Sequence, residues 1–116
     1  MKKRTKKQSK KHPLEEKYPE QCKEYRKIAD RLYQLFLDKG IEYGVNNVRA
    51  MGPLGLSLRM FEKIIRALNL LGWNPWEGKH TEAITHPKFD SLEREFDDIA
   101  NIGIIALIMS RGKWAK

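Results

Sequence analysis

The chain has 116 residues, 41% hydrophobic and 33% charged, with 23 Lys/Arg against 15 Asp/Glu and a formal charge of +8. That length supports one domain with a modest core, and the composition excludes a wholly disordered chain. The single cysteine, Cys22, excludes an intramolecular disulfide and a four-cysteine zinc site, and it fits a reducing, cytoplasmic setting.

The charge is unevenly placed. Residues 1–12 contain Lys2, Lys3, Arg4, Lys6, Lys7, Lys10 and Lys11 and no acid, whereas the rest of the chain carries 16 Lys/Arg and 15 Asp/Glu. Like charges repel, and after Met1 this stretch has no apolar residue to drive collapse. Residues 1–12 are therefore expected to form a disordered basic tail, and residues 13–116 a helical domain. No apolar stretch follows the basic one, so no signal peptide is expected. The tail can make weak, nonspecific contacts with nucleic-acid phosphates. The plainer alternative is a solubilising segment, since no aromatic is interleaved with the lysines as a stacking platform.

Beyond Pro13 the pattern becomes helical. Pro19 suits a first turn, and Tyr25, Ile28, Ala29, Leu32, Leu35 and Phe36 recur at helical spacing. The spacing predicts a first helix over Pro19–Lys39, stopped by Gly40. Residues 40–55 hold four glycines and a proline and read as a loop. A second helix is expected over Leu56–Leu71, ended by Gly72, with Leu58, Phe61, Ile65 and Leu68 on its core face. Arg59, Glu62, Arg66 and Asn69 fall on a separate stripe, flanked by Lys63. The 72–89 segment, with two prolines and two tryptophans, reads as a structured loop. Asp90 and Glu93 form a capping-box pattern, so a third helix is expected from Asp90 or Ser91 to about Ser110.

The first half of that helix is acidic, and the second, Ile99–Met109, is apolar on every side except at Asn101. A helix apolar all round must be covered all round. Either a short fourth helix from 73–89 or a symmetric oligomer is expected to cover it. The apolar run Ile102–Met109 is about half a membrane span, so no membrane partner is expected. The class is all-α, a bundle of three to four helices.

Glu95, Asp98 and Asn101 lie three apart and share one helix face. Asp98 is in line with Ile102, Ile105 and Met109, so its carboxylate needs a cation, a metal or several hydrogen bonds. In the simpler of two readings, Asp98 pairs with Arg94, Glu62 pairs with Arg66 and the remaining acids favour a helix N-terminus. In the other, Glu62, Glu95 and Asp98 hold Mg²⁺, a hard ion that takes carboxylate oxygens. Arg59, Lys63 and Arg66 then neutralise phosphates while the metal activates water against a phosphoanhydride.

Other chemistries find no footing. The histidines lack metal-ligand spacing, and no phosphate-binding glycine loop is present. Cys22 reads as a structural thiol. Trp73 and Trp76 can stack on a base or cover an apolar surface.

The order of motifs resembles a known family. Glu42-Tyr43-Gly44 is followed by R-x-x-E-K-x-x-R-x-x-N-L over Arg59–Leu70 and by E-x-x-D-I-A-N-I-G-I-I-A-L over Glu95–Leu107. Over about residues 25–110 this is similar to the phage-associated nucleotide modification associated domain, itself like the all-α MazG-like nucleoside triphosphate pyrophosphatases. The resemblance implies a MazG-like fold, a homodimer or homotetramer, and a phage or prophage setting in the host cytoplasm. It also implies Mg²⁺ between helices and hydrolysis of a nucleoside triphosphate to the monophosphate and pyrophosphate. By position it assigns Glu62, Glu95 and Asp98 to the metal, and Asn101, Tyr43 and Lys39 to the substrate. Two positions depart from the pattern. Glu62 stands alone where MazG-like enzymes show tandem acids, and Ile102 replaces the usual Tyr after the Asn.

Overall fold

The computed structural model describes residues 11–85 and 91–116, so Lys2 to Lys10 of the basic tail lie outside the described residues. The described part is mostly helical: α1 (Pro13–Lys17), α2 (Pro19–Tyr43), α3 (Val45–Leu71) and α4 (Leu92–Ser110), with two short strands, β1 (Trp73–Asn74) and β2 (Lys79–His80). No helix among these residues is long and apolar enough to cross a membrane. The chain divides into two compact units, residues 1–35 and residues 36–116.

In the first unit, α1 starts from His12. Its Nδ1 accepts the Leu14 N–H at 3.0 Å, and the Glu15 carboxylate accepts the His12 N–H at 3.2 Å. This reciprocal cap satisfies N–H groups that a helix start leaves unpaired. The last residue of the basic stretch thus belongs to an ordered turn. The N-terminal half of α2 follows, with Leu32 buried and Tyr25 and Tyr33 exposed.

The second unit begins in the last two turns of α2. The helix passes through Gly40, where it was expected to stop, and ends at Tyr43. A glycine inside a helix costs about 1 kcal/mol relative to alanine but does not by itself end it. The break comes at Gly44, with φ +84° and its N–H donating to the Gly40 carbonyl at 3.1 Å. The expected loop over 40–55 is corrected in the same way. Residues 45–51 are helical, and beyond Gly44 it is Gly52, at φ +65° and ψ 179°, that leaves the helix. Pro53 causes that break: it lacks an N–H, and its ring would meet the carbonyl four residues back in a continuous helix. It then serves as the first residue of the next helical run. Ser57 sits one turn inside that run and donates to the Pro53 carbonyl at 2.8 Å.

α3 ends at Gly72, which takes the left-handed conformation and donates to the Leu68 and Asn69 carbonyls. The segment beyond forms a hairpin in place of a fourth helix, with Trp73 opposite His80 and Asn74 opposite Lys79. The Asn74 side chain shapes its turn by accepting the Trp76 and Glu77 N–H groups at 2.9 and 3.1 Å. Strands of two residues are too short to leave an alternating pattern in sequence. A Cβ at Gly72 would stand 2.7 Å from the Thr81 carbonyl oxygen and 3.0 Å from the Ala83 nitrogen, at φ +86°. Gly72→Ala is therefore expected to destabilise the fold by about 2 kcal/mol or more, read as a lowered urea midpoint. An unchanged midpoint would contradict the close approach.

α4 starts at Ser91, whose Oγ accepts the Arg94 N–H at 3.2 Å; Asp90 lies outside the described residues. The helix packs along α3. The α3 face turned inward carries Leu56, Met60, Lys63 and Ala67 at offsets of four, three and four. Leu56 and Ala67 are buried. The Met60 Cε lies 3.7 Å from where a Cβ on Gly103 would be. The core face expected from sequence is the opposite one: Leu58 is 59% and Phe61 49% exposed. α3 is apolar on two sides, and periodicity alone does not say which one meets α4. The small Ala67 and Gly103 favour the side where the two backbones can approach.

Candidate functional site: a buried carboxylate pair between helices

Glu95 and Asp98 are three residues apart on α4, so their side chains leave the helix on one face. That face meets α3 at Lys63. Glu95 is wholly buried, and neither of its carboxylate oxygens accepts a hydrogen bond from the protein. The Lys63 Nζ lies 3.8 Å from Glu95 Oε1 and 2.8 Å from Asp98 Oδ2. Lys39, from the last turns of α2, reaches Asp98 Oδ1 at 3.2 Å. Each Asp98 oxygen therefore has a lysine, whereas Glu95 has one ammonium nearby and no hydrogen bond.

Burial pushes the Asp98 carboxyl up. Hydrogen bonds from Lys63 and Lys39, with the positive charge of both, pull it down by more, and it settles below the ordinary carboxylate value. A folded value below the unfolded one stabilises the fold above the ordinary carboxylate range, and that stability is lost as pH falls through the lowered folded value. The stability difference between the wild type and Asp98→Asn is therefore expected to shrink as pH drops through that range. Urea midpoints at a series of pH values measure it, and a constant difference would contradict the pairing.

The other sequence-derived candidates fall around this pair. Glu62 is exposed on α3, one residue and thus about 100° round the helix from Lys63. Among the described residues, no three His, Cys, Asp or Glu side chains come together as a metal-holding group. Arg59 and Arg66, about one turn either side of Lys63, are exposed, and Asn101, one turn beyond Asp98, is half-buried. Tyr43 is the last residue of α2, and its side chain lies outside the described part. Lys11 is exposed. Trp76, on the hairpin, is exposed and meets Phe61 edge-on at 6.1 Å, while Trp73 meets His80 at 4.9 Å.

Sequence reasoning placed Lys63 with the phosphates and the family resemblance placed Lys39 with the substrate, and neither revealed that both ammoniums lie against Asp98. A signal for Lys63 was present: it sits seven residues from Leu56 and four from Ala67, in line with an apolar face. No comparable signal marks Lys39, which is 59 residues from its partner.

The pair fits a hard divalent cation on its donor chemistry. Carboxylate oxygens suit Mg²⁺, and the Glu95 oxygens are buried without a hydrogen bond, with the Lys63 ammonium 3.8 Å away. Comparison with protein-family models, curated proteins and solved structures returned no match.

Proposed function

We propose that this chain is a Mg²⁺-dependent nucleoside triphosphate pyrophosphohydrolase of the MazG-like kind, acting in nucleotide metabolism or modification. The observation that carries the proposal is the buried Glu95 carboxylate, free of hydrogen bonds and set beside Asp98. An unsatisfied buried polar group costs about 1–3 kcal/mol, more when charged, so a ligand that completes it would remove a real penalty. The order of motifs from Glu42 to Leu107 supports the same class. Glu95 and Asp98 hold the metal, and Glu62, on the exposed flank of α3, is not needed for the first two ligand positions. Bound there, Mg²⁺ supplies a Lewis acid for the phosphoanhydride and an activated water. Lys39 and Lys63, which lie against the pair, and Arg59 and Arg66, exposed about one turn from Lys63, neutralise the phosphates. Asn101 and Tyr43 help to hold the nucleotide.

Self-association belongs to the same proposal. Leu54, Leu58 and Phe61 on α3, and Phe96, Ile104 and Leu107 on α4, are large apolar residues about half exposed or more. Such surface suits a homodimer or homotetramer.

Pyrophosphate release from ribo- and deoxynucleoside triphosphates, with Mg²⁺ and with EDTA, tests the activity. Release with Mg²⁺ alone is expected, and silence from folded protein across the panel counts against the enzyme. A second function is favoured by the seven Lys/Arg packed into residues 1–12: weak nucleic-acid binding through the tail. Deleting the tail is then expected to abolish a salt-sensitive gel shift, and a shift that survives the deletion would exclude the tail as its source.

A further inference from the structure

The ammonium of Lys63 stands where a metal shared by Glu95 and Asp98 would have to come. It is 2.8 Å from one carboxylate and 3.8 Å from the other, and its side chain is only 12% exposed. As a counter-ion it is incomplete. It carries one positive charge against two negative ones, and at 3.8 Å it gives Glu95 no hydrogen bond. Lys39 adds a second charge but reaches Asp98 alone. A divalent cation, with ligand distances of about 2.0–2.1 Å for Mg²⁺, would bring the charge of both lysines in one ion and supply the contact that Glu95 lacks.

Resting on the Mg²⁺ assignment above, we infer that the Lys63 ammonium is the internal counter-cation of the Glu95–Asp98 pair, displaced when a divalent cation binds and then turned to the substrate phosphates. The exchange is a charge swap. Without metal, the two lysines hold the carboxylates together and keep the buried site neutral. With metal, the carboxylates are neutralised by the ion, and Lys63 is released on the same helix as Arg59 and Arg66. Both arginines are exposed about one turn away. A polyphosphate arriving with the metal thus meets three cations on one stretch of α3, one of them freed by the metal. The lysine also guards against a monovalent ion, which would bring no more charge than the ammonium it replaces.

Two measurements on the full chain test this. In the first, Mn²⁺ is titrated into the wild type and Lys63→Met, with free Mn²⁺ read by electron paramagnetic resonance. Removal of the competitor is expected to tighten binding by about tenfold or more. If Lys63→Met is unfolded without metal, recovery of its helical circular dichroism on adding Mn²⁺ supports the same conclusion. Equal or weaker binding by a folded variant overturns the displacement while leaving the metal site intact. If neither protein binds Mn²⁺, the metal assignment itself fails.

The second measurement needs no variant. Lys63 of the wild type is labelled with acetic anhydride, with and without saturating Mg²⁺, and read by peptide mass spectrometry. Labelling is expected to rise severalfold with Mg²⁺, and unchanged labelling at saturation overturns the inference even if Lys63→Met never folds.

Discussion

Lys63→Met is expected to destabilise the fold by about 3–5 kcal/mol at neutral pH, the range seen when one partner of a buried ion pair is removed. Its side chain is 12% exposed, and those of Glu95 and Asp98 are 0% and 14% exposed. Methionine fills a similar volume, so packing changes little and the loss is electrostatic. Asp98 would keep Lys39 at 3.2 Å, whereas Glu95 would keep no cation within ion-pair distance in the described structure. The loss is a large share of the roughly 5–15 kcal/mol that holds an ordinary domain together. Glu95→Gln on its own is expected to be neutral or stabilising, because it removes a buried charge whose oxygens accept no hydrogen bond. In the double variant it should recover much of what Lys63→Met loses. Thermal and urea unfolding of the four proteins form the cycle, and additivity of the two changes would refute their coupling.

Asp98→Ala and Glu95→Gln are expected to lower Mg²⁺-dependent pyrophosphate release by about 100-fold or more, since each removes a proposed ligand from a site that has two. The two variants should part company in stability. Asp98→Ala leaves Lys39 and Lys63 without their shared carboxylate and should melt lower, while Glu95→Gln should melt at or above the wild type. A variant that gains stability as it loses activity marks a residue kept for its chemistry. Retained turnover in Glu95→Gln would remove Glu95 from the site. Turnover lost in proportion to folded fraction alone would assign the pair a structural role.

Much of the architecture follows from local signals that the sequence carries openly. Gly72 ends a helix because glycine takes the left-handed conformation without strain, and Ser91 starts one because its hydroxyl reaches the Arg94 N–H. The break near residues 40–55 was legible from the glycines and Pro53, but its extent was not. A glycine permits a break, and neighbouring contacts decide whether one occurs, so the helix runs through Gly40 and opens at Gly44 and Gly52. The face of α3 that meets α4 is hidden for a different reason. Periodicity reports that a side is apolar and says nothing of what it meets, and this helix has two such sides.

The carboxylate pair was legible as well, since an offset of three on one helix fixes Glu95 and Asp98 to a common face without tertiary knowledge. Their cations were less so. Lys63 shows only as a charge in line with the apolar face of Leu56 and Ala67, and Lys39 comes from another helix, with no sequence distance to pick it out among 23 Lys/Arg. Glu62 illustrates the converse. It shares a helix with Lys63 and lies next to it in sequence, yet the helical rotation carries it to the exposed flank.

The lysine between the carboxylates also bears on how α3 and α4 find one alignment. Two antiparallel helices lined with Leu, Ile, Met and Ala can slide past each other by a turn with little change in apolar contact. The observed alignment sets Lys63 against Asp98 and Met60 against Gly103. A slip of one turn would bring Met60 or Ala67 opposite Asp98 instead, leaving the Lys63 ammonium and the Glu95 carboxylate buried without counter-charges. Such a mispairing would cost several kcal/mol, more than sliding an apolar seam recovers. The polar centre therefore selects a single register for a hairpin whose hydrophobic pattern alone would tolerate several.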